Sequence, residues 1–218
     1  MAIEQRSPVI AIEGTIGAGK STLCRWIRKN LGGAVIDEAA SSLHADYAAD
    51  PERWGFTYQM ALLTQRVRTL RQAHNHSLKC EGPIWLDRST LGERAFAEAN
   101  RRVGRLSAIE YDIWERAFGE YNKLLDPPDI TVFLDVDCHK ASERAVLRDG
   151  GGDAVDREYM IELQYAYERG YEDLKSRGAC FIKVPWGQDY APHQYSVHAD
   201  ILVSRIVNEF NDVLIEHN

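Results

Sequence analysis

The chain lacks any apolar run approaching the roughly 20 residues that a membrane-spanning helix requires. Its start, MAIEQRSPVI, lacks the basic-then-apolar order of a secretory signal. Both absences predict a cytoplasmic setting with no membrane partner. Cysteine is sparse: Cys24, Cys80, Cys138 and Cys180 are widely spaced and form no CxxC pair, which argues against a zinc site or a disulfide framework. Positive charge is in deficit, with 26 Lys and Arg against 33 Asp and Glu. A net charge of -7 excludes the broadly basic surface that a nucleic-acid polymer requires, so cations acting on phosphate must be local. Repeats, low-complexity tracts and Pro/Ser-rich linkers are missing too, and one domain over residues 1–218 is expected.

The 218 residues are 44% hydrophobic and 27% charged, enough apolar material for a sizeable core. Short runs rich in branched residues occur at Val9 to Ile12, Ala34 to Ile36, Ile84 to Leu86, Ile130 to Val136 and Phe181 to Val184. Stretches with helical spacing separate them. This alternation predicts an α/β fold, a parallel five-stranded sheet flanked by helices on both faces, with ligands beyond the carboxyl ends of the strands. Acids stand at those ends: Glu13, Asp37 with Glu38, and Asp87. Gly150 to Gly152 and Pro185 to Gln194 read as loops.

Directly after the first strand, Gly14-Thr15-Ile16-Gly17-Ala18-Gly19-Lys20-Ser21-Thr22 satisfies GxxxxGK[ST] and opens a helix expected over Ser21 to Leu31. Glycines let the loop curl so that its amides point inward, and the helix N-terminus adds positive potential. Lys20 then reaches the β and γ phosphates, and Ser21 can ligate Mg2+. The motif predicts nucleoside triphosphate binding but does not separate a switch, a motor and a kinase. A guanine-selective switch is disfavoured because no Asn-Lys-x-Asp stretch follows a late strand.

A helix is expected from Pro51-Glu52-Arg53-Trp54 to about Ala73, with proline and an acid in its first turn. At 3.6 residues per turn, Gln59 and Arg66 stack on one side and lie among Phe56, Met60, Leu63, Val67 and Leu70. Polar groups set into an apolar face need partners, and an amide beside a guanidinium matches the edge of a nucleobase. A second reading has Arg66 snorkelling to solvent and Gln59 tying a neighbouring loop.

Taken together, the phosphate motif, the run Pro51-Glu52-Arg53-Trp54-Gly55-Phe56-Thr57-Tyr58-Gln59 and the triplet Asp87-Arg88-Ser89 make the chain resemble the deoxyribonucleoside kinases, which include deoxycytidine, deoxyguanosine and deoxyadenosine kinases. The resemblance implies a P-loop kinase with an arginine lid, a homodimer, and transfer of phosphate from ATP, with Mg2+, to the 5′-hydroxyl of a deoxyribonucleoside. By this resemblance Glu38 is the general base, Asp87 holds Mg2+ with Ser21, and Arg88 pairs with phosphate and orients Glu38. Gln59 and Arg66 read the base, Tyr58 stands beside them, and Arg66 favours a purine deoxynucleoside or deoxycytidine over thymidine. Glu93 takes the place of the aspartate that partners Arg66, although Thr90-Leu91-Gly92-Glu93 also reads as a capping box. Tyr47 and Asp153 match the pair that binds the 3′-hydroxyl.

Arg144 and Arg148 match the first two arginines of a lid spanning about 144–157, while Gly150 stands where the third belongs and Arg157 is a possible substitute. Gly187-Gln188-Asp189-Tyr190, after the strand ending at Val184, resembles the loop that touches the adenine of ATP. Ala39-Ala40-Ser41-Ser42-Leu43 departs from the family's Pro-Val and aromatic residues, which implies a less bulky wall beside the sugar. Two rival readings share the cradle: a nucleoside monophosphate kinase of the thymidylate type, and a nucleotide-binding scaffold without turnover.

Overall fold

A computed structural model of the chain describes residues 6–31, 34–38, 41–148, 156–176, 180–189 and 192–216. Five strands form one parallel sheet: β1 (Val9–Glu13), β2 (Ala34–Ile36), β3 (Ile84–Asp87), β4 (Ile130–Asp135) and β5 (Phe181–Pro185), in the order β2-β3-β1-β4-β5. The central strand alternates with the period of two that a two-faced sheet demands. Ile10 and Ile12 join the core packed by Leu23, Ile27, Leu202 and Ile206, whereas Val9 and Ala11 join that of Leu70 and Ala73.

Helices α1 (Lys20–Asn30) and α8 (Pro192–Glu216) supply the first of those cores, and the indole N–H of Trp26 in α1 donates to Ser196 Oγ in α8 at 2.8 Å. The other face carries α3 (Pro51–Ser77), preceded by the short α2 (His44–Ala49), and then α4 (Thr90–Arg102) and α5 (Ala108–Leu124). After β4 come α6 (Cys138–Arg148) and α7 (Arg157–Ser176), and α7 packs on α4 through Ala95, Ala99, Leu163 and Ala166. Asp50 caps α3 by accepting from the Arg53 amide at 3.0 Å, with Pro51 in the first turn where its missing N–H costs nothing. Ser107 and Glu110 form a reciprocal capping box on α5.

The sheet and its two covered faces match the sequence expectation. The differences lie at element ends. Glu13, Asp87 and Pro185 each extend a strand by one ladder position, because the neighbouring strand still offers partners there, while β4 stops at Asp135 rather than Val136. α3 runs to Ser77, four residues past the expected stop, and α8 starts at Pro192, inside the segment read as a loop.

Since every pairing is parallel, the carboxyl ends of β1, β2 and β3 lie along one edge: Ile12 pairs with Asp87, and Ile36 with Leu86. The order reverses at β1, where the phosphate motif begins. That is the crevice in which doubly wound sheets hold ligands.

Candidate active site

The donor half is the loop between β1 and α1. Gly14, Gly17 and Gly19 have φ of 152°, 78° and 98°, values that side chains rarely adopt, so the curl depends on them. At Gly17 space is decisive as well, since a Cβ there would lie 1.9 Å from the Ala141 carbonyl oxygen of α6. Lys20 is buried, and its ammonium donates to the carbonyls of Gly14 (3.0 Å) and Thr15 (2.8 Å). Burial first, and the Arg88 charge second, lower its pKa to about 7.

Residues of the loop and of α1 (Gly17, Gly19, Lys20, Ser21, Thr22) line a cleft of ≈ 460 Å³ with Arg144 and Arg148 of α6 and with Trp186, Gln188 and Asp189. That volume suits a small ligand. Ile16 and Ala18 turn the other way, into the core around β1 and β4. Arg144 is held by the segment after β5. It donates to the carbonyls of Trp186 (3.2 Å) and Gln188 (2.8 Å) and forks onto Asp189 Oδ1 (3.1 and 3.0 Å), while Lys140 pairs with the other Asp189 oxygen. Arg157 lies elsewhere, along a groove with Ser142, Glu143 and Val146. The expected sites at Asp153, Tyr190 and Gly150 to Gly152 lie outside the described residues.

Ser21 Oγ donates to Asp87 Oδ2 at 2.7 Å. The second carboxylate oxygen, Oδ1, is buried and has no hydrogen-bond partner among the described residues. A hydroxyl joined to a carboxylate with a spare buried oxygen, beside a phosphate loop, is the hard-oxygen donor set that Mg2+ takes with phosphates and water. These residues fit the ion.

The acceptor half is assembled from four parts of the chain. Arg66 of α3 is 3% exposed and spends its fork on three partners: Nε donates to Glu93 Oε1 of α4 (2.7 Å), Nη1 to the Asp87 carbonyl (3.3 Å), and Nη2 to Glu38 Oε1 after β2. Arg88 reaches Glu38 from the other side, with Nε 3.2 Å from Oε1 and 3.3 Å from Oε2. Burial pushes the Glu38 pKa up, but Arg88, Arg66 and Lys20 outweigh it and hold the group at about 2, an ionised carboxylate at neutral pH. Glu93 is shifted upward by burial with Arg66 opposing, and its Oε2 has no partner among the described residues.

Gln59 is 1% exposed on the same face as Arg66, and its Oε1 likewise has no partner among the described residues. The snorkelling reading of Arg66 is thus replaced by a buried guanidinium with each of its three nitrogens hydrogen-bonded. The capping-box reading of Glu93 is replaced as well: Ser89 is the N-cap, accepting from the Leu91 amide at 3.2 Å, and Glu93 turns to Arg66. Tyr58 stacks on Tyr47 with ring centroids 4.4 Å apart, and burial raises its pKa to about 12. The Tyr47 hydroxyl donates to Asn100 Oδ1 (2.6 Å) and accepts from Arg105 (3.2 Å), which also pairs with Asp156 at 2.8 Å.

Sequence reasoning missed Asn100, Arg105 and Tyr167, which no motif marks. Glu13 showed only as an acid at a strand end, yet it is fully buried and bonded to the start of α4 and to Tyr167. Its Oε1 accepts from the Ser89 amide (2.6 Å), Ser89 Oγ (2.7 Å) and the Gly92 amide (3.1 Å). Its position directly before Gly14 was the one available signal.

The profile of the deoxynucleoside kinases matches residues 10–207. The chain belongs to the deoxynucleoside kinase family. It is 30% identical over 207 residues to a deoxyadenosine kinase of Dictyostelium discoideum, covering 93% of this chain and 82% of that one. A deoxyguanosine kinase of the same organism is 30% identical over 190 residues, and the match covers 83% of this chain and 64%, under two thirds, of that relative. Among solved structures, a deoxyadenosine kinase from M. mycoides with the products dCMP and a flexible dCDP bound superposes with a TM-score of 0.75 at 27% identity, over 92% of this chain and 99% of that one. As a family member the chain is a phosphotransferase built on a P-loop sheet. Among the described residues no helix is long and apolar enough to cross a membrane.

Proposed function

We propose that this kinase transfers the γ-phosphoryl group of ATP to the 5′-hydroxyl of a deoxyribonucleoside in nucleotide salvage, with a purine deoxynucleoside or deoxycytidine favoured over thymidine. The carrying observation is Glu38, an ionised carboxylate gripped by Arg66 and Arg88, the latter also bonded to the cradle carbonyl of Gly14 at 3.1 Å. A base with a pKa near 2 is weak, yet phosphoryl transfer through a loose transition state asks mainly for alignment of the attacking oxygen and screening of phosphate charge. Glu38 accepts the hydroxyl hydrogen bond and aims the oxygen; its proton leaves late.

Each remaining group has a role that its chemistry suits. Lys20 moves from its own loop carbonyls to the β and γ phosphate oxygens, which are better acceptors because they are charged. Arg88 spans Glu38 and phosphate, and Arg144 and Arg148 approach the phosphates from α6. Ser21 and Asp87 would hold Mg2+, which when bound screens phosphate charge. Gln59 Oε1 and Glu93 Oε2 are acceptors awaiting donors, which suits a base edge carrying an exocyclic amino group, as adenine, guanine and cytosine do and thymine does not. Tyr58 offers a ring beside the base, Tyr47 and Asp153 the 3′-hydroxyl contacts, and Asp189 and Tyr190 the adenine of ATP. One kinase domain spans 1–218 with its lid at about 144–157, acting as a cytoplasmic homodimer.

Glu38→Gln tests this reading. The amide keeps the size but loses the charge, so nucleoside and ATP binding by calorimetry should persist while turnover falls by about 10²- to 10⁴-fold. Unchanged turnover would remove Glu38 from the chemistry. Loss of both binding and fold would show a structural acid instead.

A further inference from the structure

Arg88 stands out in the backbone as well as in the site. It has φ of 76°, the single positive value at a non-glycine among the described residues, and such a conformation persists only where surrounding contacts enforce it. The residues after it are enforced by Glu13, whose Oε1 takes both hydrogens of Ser89 and the amide of Gly92. A Cβ on Gly92 would sit 2.5 Å from Glu13 Oε2, so the helix start is fitted around this carboxylate.

The guanidinium is enforced by a different element. Tyr167 of α7, buried, donates its hydroxyl to Glu13 Oε2 (3.0 Å) and accepts from Arg88 Nη1 (3.0 Å). Phe96 lies under the guanidinium at 4.5 Å, which limits its tilt. Among the described residues this hydroxyl links the acid that shapes the turn to the cation that leaves it, and it belongs to the helix following the lid segment.

We infer that Tyr167, anchored by Glu13, is a positioning residue for phosphoryl transfer, acting by fixing the Arg88 guanidinium between the cradle and Glu38. The inference rests on the kinase reading above for its effect on turnover. Without the hydroxyl, Arg88 keeps its charge and its Glu38 contact but loses one of the acceptors that fix its angle. Alignment errors of this kind lower turnover more than affinity.

Tyr167→Phe is the informative change, because the ring keeps its packing against Phe133 (5.0 Å between centroids) and Phe96 while only the hydroxyl is lost. Expected is a fall in kcat of about tenfold or more, with KM for ATP and nucleoside changed by less than about threefold. In an Arg88→Lys background, where the fork is already gone, the same substitution should cost nothing further. Exchange of the Arg88 Nη–H protons, one of which Nη1 donates to the Tyr167 hydroxyl, followed by ¹⁵N NMR, should be slow in the wild type and faster in Tyr167→Phe. An equal loss of kcat in both backgrounds, no loss in the wild-type background, or unchanged Nη–H exchange would each overturn the inference. The NMR arm needs no turnover, so if the wild-type protein phosphorylated no nucleoside, the kinase reading would fail while the positioning of Arg88 could still be decided.

Discussion

The two halves of the site are built in opposite ways. The donor half is a contiguous loop whose curl is permitted by glycines and whose lysine rests on carbonyls five and six residues away. The acceptor half draws Glu38, Arg66, Arg88 and Glu93 from separate elements, with bonded partners 21 to 50 residues apart along the chain, and holds the three buried groups, with Glu38 at the mouth, by opposed charge. In a loop of the first kind the functional lysine can be changed with little consequence for folding, because its partners are carbonyls of the loop itself. A cluster of the second kind ties function to stability, because each charge is another's reason for being tolerated out of water.

Arg66→Leu should expose this difference most strongly. It strands Glu93, 1% exposed, without its countercharge, and a loss of about 3–5 kcal/mol in urea unfolding is expected together with weakened nucleoside binding. Replacing Glu93 by Leu as well should recover much of the stability and none of the binding. If Arg66→Leu unfolds like the wild type, the acceptor half is not a charge-coupled unit.

Lys20→Met should do the reverse, lowering turnover by about 10²- to 10³-fold without lowering the melting temperature at neutral pH. The sign follows from linkage. With a folded pKa of about 7 against an unfolded value of 10.5, the unfolded chain binds more protons between those limits. The wild-type protein's stability therefore gains from this group as pH rises from about 7 to 10.5, and that gain should vanish from the pH–stability profile of the variant.

Gly92→Ala comes next, with about 1–3 kcal/mol expected from forcing the Glu13 carboxylate off its donors. The smallest change is Asp189→Asn. Its bonds to Arg144 and Lys140 are exposed, so the KM for ATP should move by less than about fivefold.

The same contrast governs what the sequence discloses. The cradle is legible because its spacing and its place between a strand and a helix are local facts. The pair Gln59 and Arg66 is legible because helical periodicity carries both onto an apolar face. Glu93 could be read either as a cap or as a partner of Arg66, since that choice depends on which residue caps α4, and Ser89 rather than Thr90 does so. The bond from Tyr167 to Glu13 joins residues 154 apart, and no pattern along the chain announces it. Arg144 shows a further limit: its grip on the Trp186 to Asp189 segment depends on how α6 meets the end of β5, which no local spacing carries.

The central claim is that a base-reading face and a phosphate cradle converge on one nucleoside hydroxyl. The most direct measurement is transfer from γ-labelled ATP, with Mg2+, to each of the four deoxynucleosides and their monophosphates, with products resolved by chromatography. The account predicts labelled 5′-monophosphate from deoxyadenosine, deoxyguanosine or deoxycytidine, and least from thymidine. Intact ATP binding with no labelled monophosphate, or faster use of a monophosphate than of its nucleoside, would contradict it.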